Sequence, residues 1–293
     1  MKTSNKTKTI TLRDGRRLSY AEYGDPVGKP VFYFSGGTAS GLIARTIDTL
    51  AKQTNTRMVA PNRPGIGLSD FKAHRTLLGW PADICELADA LNLQRFAVMS
   101  ESGGSPYVAA CAKEIPDRLT AATIVSGACP FDVPDVMQGM SPQNRSSMKL
   151  MRTLPVWLVR LIFLPMARTA LSNPEKLRPQ LLQLAKGMPA VDLAVFSEPE
   201  YLQAVLDAYC EAFQQGTHGP ALDLKLCAGS WGSWLPEISM EVQLWHGEED
   251  TNTPIAMANY MQGAIPKTRA TFIPGEGHVS LMHNYGQEIL EAL

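Results

Sequence analysis

Ser102 stands in the run Phe96-Ala97-Val98-Met99-Ser100-Glu101-Ser102-Gly103-Gly104-Ser105-Pro106-Tyr107, where a short apolar stretch ends on small residues and a helix-like stretch begins at once. A strand-to-helix turn this sharp forces its central residue into a strained backbone conformation, and only small neighbours leave room for it. The Ser102 hydroxyl then projects above the strand ends at the start of a helix, where free N–H groups and the helix dipole favour developing negative charge. That is the setting an acyl-transfer nucleophile requires. The plainer reading is a Ser/Gly-rich loop that binds phosphate, although neither GxGxxG after the first strand nor GxxxxGK[ST] occurs.

A serine hydroxyl is a poor nucleophile near neutral pH unless a base takes its proton, and an acceptor must hold that base in one tautomer. Five histidines are available. His74 lies in a polar stretch, His218 in a Gly-rich one, and His246 at the end of an apolar run. His278 falls in Pro274-Gly275-Glu276-Gly277-His278-Val279, between the last apolar run and a terminal helix-like segment that contains His283. The carboxylates in comparable places are Glu248, Glu249 and Asp250, after Val242-Gln243-Leu244-Trp245-His246-Gly247, and Asp132. Taken singly, any of these is as readily a solvated side chain.

Together these stretches resemble the α/β-hydrolase superfamily, whose nucleophile elbow is GxSxG. Here Ser100 replaces the first glycine and gives SxSxG. The family's chain order of Ser, acid, His places the base after the last strand, and Gly275-Glu276-Gly277-His278 is similar to its GxGH signature. The resemblance therefore implies His278 as base, with His283, inside a helix, as the weaker rival. The segment ending in Asp250, with Pro254 four residues on, resembles the family's GxxD segment and implies Asp250 as the acid; 278 − 250 = 28 residues leave room for one helix and one strand between them. Asp132, near the end of the sixth strand, is the alternative acid, and Glu248 and Glu249 are read as solvated loop charges. Phe32-Tyr33-Phe34-Ser35-Gly36-Gly37 resembles the HG-type loop, with Ser35 in place of the histidine, which implies that the N–H groups of Gly37 and Gly103 form the oxyanion hole. Asn62-Arg63-Pro64-Gly65-Ile66-Gly67-Leu68-Ser69 looks like the family's DRPGxGxS segment and is read as a structural loop beside that hole, with no catalytic residue. In the implied mechanism Ser102 attacks a carbonyl, His278 relays the proton, Asp250 orients the imidazole, and water hydrolyses the acyl-enzyme.

The elements that must position these residues alternate between short strand-like and helical runs, the pattern of a mostly parallel α/β sheet. Residues 9–12 and 18–23 flank Asp14-Gly15 as an edge hairpin. Residues 31–34, 57–60, 96–99, 122–125, 242–245 and 270–273 read as buried strands because they are short, apolar and bounded by turn residues. Residues 82–91 carry Ile84, Leu87, Ala88 and Leu91 at helical spacing, which leaves Asp83, Glu86 and Asp89 for the wet face. From residue 130 to 235 the chain is rich in Met, Leu and Pro without a convincing strand. The expected organisation is a core of residues 1–129 and 236–293 with an inserted helical cap at 130–235. Met137, Met140, Met148, Met151, Met166 and Met188, with Trp157, Phe163, Phe196 and Phe213, either line an apolar pocket over the serine or pack the cap onto the core.

Composition narrows the partners. With 27 Lys+Arg against 28 Asp+Glu the net charge is −1, so no field draws the chain to nucleic acid or an anionic membrane. Residues 154–171 are the most lipid-like, but Pro155, Arg160, Pro165 and Arg168 interrupt them, so no stable membrane anchor is expected. The first residues are basic yet lack the apolar stretch of a secretory signal, and five cysteines without a CxxC pair argue against a disulfide framework. A cytoplasmic location is expected on those two grounds. No Cys/His cluster has metal-ligand spacing, so neither metal nor cofactor is expected. A small-molecule acyl substrate is the expected partner, and a homodimer is as compatible with the sequence as a monomer.

The resemblance runs from Leu18 onward, and Gly219-Pro220-Ala221-Leu222-Asp223 followed by Gly229-Ser230-Trp231-Gly232 is similar to a segment of a broad microbial branch of the superfamily. It implies a cofactor-independent serine hydrolase acting on a small, apolar carboxylic ester. The alternatives are an amide, lactone or C–C bond hydrolase with the same triad, or a non-catalytic ligand receptor on this fold. Prolyl iminopeptidases are related, and Glu198 and Glu200 suggest binding of an amino group, although Ser-Glu-Pro-Glu equally opens a helix.

Overall fold

The computed structural model describes residues 7–293; residues 1–6, where the basic start of the chain lies, fall outside the described residues. Thr7–Thr11 (β1) and Arg17–Gly24 (β2) pair antiparallel across the Asp14-Gly15 turn, with Gly15 at φ +86°. The sheet continues with Lys29–Phe34 (β3), Thr56–Pro61 (β4), Phe96–Glu101 (β5), Leu119–Val125 (β6), Val242–Gly247 (β7) and Thr268–Ile273 (β8). Their order is β1-β2-β4-β3-β5-β6-β7-β8. β2 meets β4 antiparallel, and every pair from β4 to β8 is parallel.

Parallel strands need helical crossovers, and these cover both faces of the sheet. Asp48–Gln53 (α1), Trp80–Ala90 (α2) and Ser105–Glu114 (α3) follow β3, β4 and β5 in turn. Between β6 and β7 come Pro142–Thr153 (α4), Val156–Ser172 (α5), Arg178–Ala185 (α6), Ala190–Phe196 (α7), Pro199–Ala212 (α8) and His218–Cys227 (α9), with no strand among them. Ile255–Ala264 (α10) joins β7 to β8, and Ser280–Glu291 (α11) ends the chain.

Burial on both faces explains why the inner strands read as apolar runs; residues 270–273, read as a buried strand, instead lie in the edge strand β8, which is open on one side and only partly covered. In β3, Phe32 and Phe34 join Trp80, Ile84, Leu87 and Tyr107 under α2 and α3, whereas Val31 and Tyr33 join Met58, Met99, Leu281 and Ile289 on the opposite face under α11. Chain order along the sheet reverses at β3, which lies between β4 and β5. A crevice opens outside the carboxyl ends at such a reversal. Ser102 follows β5 there, and Gly37 follows β3.

Two readings of local pattern meet the structure differently. Asp83 does not face water: its carboxylate is buried and takes both terminal nitrogens of Arg16, at 3.0 and 2.7 Å. Helical periodicity ranks a carboxylate as a wet-face residue; the β1–β2 turn, brought over the first turn of α2, supplies the cation that makes burial tolerable. The lipid-like stretch is α5, with Pro165 inside it, and among the described residues no helix is long and apolar enough to cross a membrane. All five cysteines are free.

Candidate active site

The turn after β5 adopts the strained geometry its sequence requires. Ser102 has φ +53°, a left-handed conformation that costs an L-residue about 1–2 kcal/mol. Its small neighbours have identifiable steric reasons. A Cβ at Gly104 would stand 2.3 Å from the Phe34 carbonyl oxygen and one at Gly36 would stand 2.9 Å from the Ser102 Cβ, so no side chain fits between the β3 loop and the serine. Ser100, which departs from the family pattern, is fully buried, and among the described residues its hydroxyl has no hydrogen-bond partner. A small residue is tolerated there, but its oxygen is left unsatisfied.

His278 and Asp250 meet at 2.7 Å between Nδ1 and Oδ2. The other Asp250 oxygen accepts the backbone N–H groups of Asn252 and Thr253, both at 2.8 Å, and the Thr253 hydroxyl donates to Oδ2 at 2.8 Å. An acceptor satisfied by this many donors fixes its own orientation, and with Nδ1 donating to it the imidazole leaves Nε2 free to accept a proton. Burial alone would raise the Asp250 pKa, but His278 and these donors outweigh it and hold the carboxyl below its usual range. Burial would likewise lower the His278 pKa, and the facing Asp250 carboxylate carries it above the usual value. His246 lies beside the pair, its Nε2 2.6 Å from the Thr253 carbonyl oxygen, and burial keeps its pKa low and the ring neutral.

The β3 loop meets the elbow at Gly37 and Gly103: a Cβ on Gly103 would stand 3.1 Å from the Gly37 nitrogen, so the two residues are in close contact. Arg63, in the loop to which the sequence assigns no catalytic residue, holds this one in place. It donates to the carbonyl oxygens of Ser35 at 2.6 Å and Gly37 at 2.9 Å, and its Nε lies 3.0 Å from Asp223 Oδ2. Asp223, on α9, also accepts from Arg75 at 2.7 Å and from the Tyr107 hydroxyl at 2.5 Å. Ser35, Arg63, Arg75, Tyr107 and Asp223 are all buried. Burial raises the Asp223 pKa, and the two guanidiniums bring it below the usual carboxylate range. Residues 62–69 approach α9 this closely because Gly65 and Gly219 face each other: a Cβ on Gly219 would lie 2.1 Å from the Gly65 carbonyl oxygen.

A second carboxylate from the helices between β6 and β7 holds the histidine loop. Asp192, fully buried on α7, accepts the backbone N–H groups of His278 at 2.7 Å, Val279 at 2.8 Å and Ser280 at 2.9 Å. It thereby satisfies donors at the start of α11 that have no partner within the helix. The glycine of the GxGH run follows from this contact, since a Cβ at Gly277 would stand 2.4 Å from Asp192 Oδ2. Asp192 is marked by no local motif, whereas Arg63 stands in the DRPGxGxS-like segment, whose sequence does not say which groups its guanidinium holds.

Ser102, Gly103, Gly37, Thr253 and His278 line one cavity of about 450 Å³, with Asp250 behind His278. From the segment between β6 and β7 come Met140, Met148, Met151, Met188 and Phe196; Met137, Met166, Trp157, Phe163 and Phe213 are not among the cavity's lining residues. Phe163 instead packs edge-on against Phe213, and Trp157 is exposed. The rival candidates lie elsewhere. His283 is 3.7 Å from Glu198 on an exposed face, His218 stacks on Phe71, and Asp132, Glu200, Glu248 and Glu249 are exposed and do not line the cavity.

Against known families, residues 29–285 match the model of the alpha/beta hydrolase fold. No curated protein matches the sequence. Among solved structures, the chain is similar to a thermophilic esterase from Thermogutta terrifontis, with 17% identity and a TM-score of 0.64 over 98% of this chain and 96% of that one. A bromoperoxidase from Bacillus anthracis is also similar, with 17% identity, a TM-score of 0.69 and 97% of each chain covered. The same figures hold for an enol-lactonase from Burkholderia xenovorans.

Proposed function

Because this chain belongs to the α/β-hydrolase family, we propose that it is a cofactor-independent serine hydrolase that cleaves a small, apolar carboxylic ester or related acyl compound through an acyl-enzyme. The observation that carries this reading is the convergence on one cavity of a strained serine and a histidine whose Nδ1 is engaged by a buried carboxylate at 2.7 Å. Ser102 attacks the carbonyl carbon while His278 Nε2 takes its proton, and Asp250 stabilises the imidazolium that forms. The N–H groups of Gly37 and Gly103 receive the oxyanion, a contact whose loss costs about 2.7–4 kcal/mol of transition-state stabilisation in comparable sites. The imidazolium returns its proton to the leaving group, and water then repeats the sequence on the acyl-enzyme.

The insertion acts as a cap, its methionines giving the acyl chain an adaptable apolar wall. Esterase and lactonase activities, named for similar structures, need the same first step. Labelling with a fluorophosphonate probe, paired with hydrolysis of p-nitrophenyl esters of increasing chain length, tests this. The wild type is expected to label and turn over, and Ser102→Ala to do neither. Labelling that survives in Ser102→Ala would remove Ser102 from the mechanism; labelling without ester turnover would move the reading to another acyl bond.

A further inference from the structure

Glu101, immediately before the nucleophile, lines the cavity and has no part in the proposed mechanism. It ends β5 in phase with Ala97 and Met99, so it shares their face of the sheet with Tyr33 and opens on the cavity beside Ser102. The Tyr33 hydroxyl reaches its carboxyl, and the Tyr201 hydroxyl and the His278 ring are near enough to feel its charge. Oε1 nevertheless is buried with no hydrogen-bond partner among the described residues. Burial pushes its pKa up, and Tyr33 and His278 offset this only in part.

The rest of the lining supplies no cation for it. Asp223 is neutralised by Arg63 and Arg75, His278 is committed to Asp250, and among the described residues no lysine or arginine lines the cavity. A carboxylate in so apolar a space is costly until a cation desolvated along with it completes the pair. Tyr33, Tyr201 and Phe196, which also line the cavity, add ring surface that favours a positive charge.

We propose that Glu101 is a substrate-binding residue and receives a primary or secondary ammonium carried on the acyl part of the substrate, next to the scissile carbonyl. The proposal rests on the serine-hydrolase reading above. It assigns to Glu101 the amino-group recognition that the sequence suggested for Glu198 and Glu200, both of which are exposed and outside the cavity lining. The ammonium keeps its proton throughout, and the contact fixes the acyl group with its carbonyl toward Ser102.

The test compares β-naphthyl esters of L-leucine and 4-methylpentanoic acid, which differ only in the α-amino group, at about pH 6.5, where that amine is charged. The wild type is expected to prefer the leucyl ester by about 10-fold or more in kcat/KM, and the ratio is expected to fall to about one in Glu101→Gln. In the wild type alone, pentylammonium should inhibit p-nitrophenyl butyrate hydrolysis at concentrations where 1-pentanol does not, which keeps the proposal testable even where the variant fails to fold. A wild-type ratio near one, pentylammonium no better than pentanol, or a ratio that survives in Glu101→Gln would each overturn it; the last of these would reassign Glu101 to tuning His278. Fluorophosphonate labelling separates the two levels: an enzyme labelled at Ser102 but without leucyl preference loses only the Glu101 assignment, and an unlabelled one loses the hydrolase reading as well.

Discussion

Asp192 and Asp223 both lie between β6 and β7, are both buried, and each holds one of the loops that complete the site, yet they do so by different means. Asp192 grips the histidine loop directly, through three backbone N–H groups at the start of α11, with no side-chain cation among the hydrogen-bond partners found for it. Asp223 reaches the β3 loop at one remove, through Arg63, and needs Arg75 and Tyr107 to complete its shell. The first arrangement spreads one charge over peptide dipoles whose positions the helix already sets. The second assembles two guanidiniums around one carboxylate and uses the surplus donors of Arg63 to pin two carbonyl groups. Disturbing the first should therefore be felt chiefly at the base, and disturbing the second in stability as well as at the oxyanion donors.

The largest effect is expected from Asp223→Asn, which leaves two buried guanidiniums facing a neutral amide; removing one partner of a buried ion pair typically costs about 3–5 kcal/mol. Urea denaturation checks it, and a loss under 1 kcal/mol would mean that water or a neighbour compensates the arginines.

Asp192→Asn keeps the shape but loses the charge and one acceptor oxygen, with an expected cost of about 1–3 kcal/mol. Its clearer signature is kinetic. A histidine loop released from α7 should lower kcat about 10-fold to 100-fold, since small misplacements at the reacting atoms have effects of that size, and should move KM less.

A pH profile sharpens the contrast. Burial tends to lower the His278 pKa, but Asp250, with smaller help from Asp192 and Glu101, raises it above the ordinary histidine value. The base works only when neutral, so kcat/KM should rise with pH through that raised pKa. Removing the negative charge of Asp192 lowers the pKa and should move the acid limb to lower pH. Asp223 is not among the main groups that shift His278, so the limb should move little in Asp223→Asn. A limb that moved equally in both variants would erase the distinction.

The smallest effect belongs outside both grips. Ser100→Ala deletes a buried hydroxyl without a partner, and its melting midpoint should be unchanged or slightly higher, within about 1 kcal/mol of the wild type. A larger loss would show that the hydroxyl is satisfied after all.

How much of this was legible in the sequence depends on how local each constraint is. The elbow is local: a strand, a residue with positive φ and a helix follow one another within a dozen positions, so side-chain size at Ser100, Gly103 and Gly104 signals the turn directly. The inner strands were legible because burial on both faces requires apolar runs, whereas 270–273, read as buried, lie in the partly covered edge strand β8. His278 and Asp250 were placed by family chain order, and the structure joins them while leaving His283 on an exposed face and Asp132 outside the cavity lining. Asp83 was misassigned because its partner Arg16 is 67 positions away in the chain, and helical periodicity knows nothing of that distance.

By itself, then, the sequence determined the order of strands and helices, the sharp turn at Ser102 and the residue types able to activate it, since each follows from backbone sterics and side-chain chemistry over a few neighbours. Tertiary structure alone decided that Asp192 and Asp223 serve the two loops, that Arg63 pins the carbonyls of Ser35 and Gly37, and that Glu101 has a carboxyl oxygen with nothing to bond. The reason is that a buried charge is tolerated or costly according to what folding brings against it, and those partners come from distant parts of the chain.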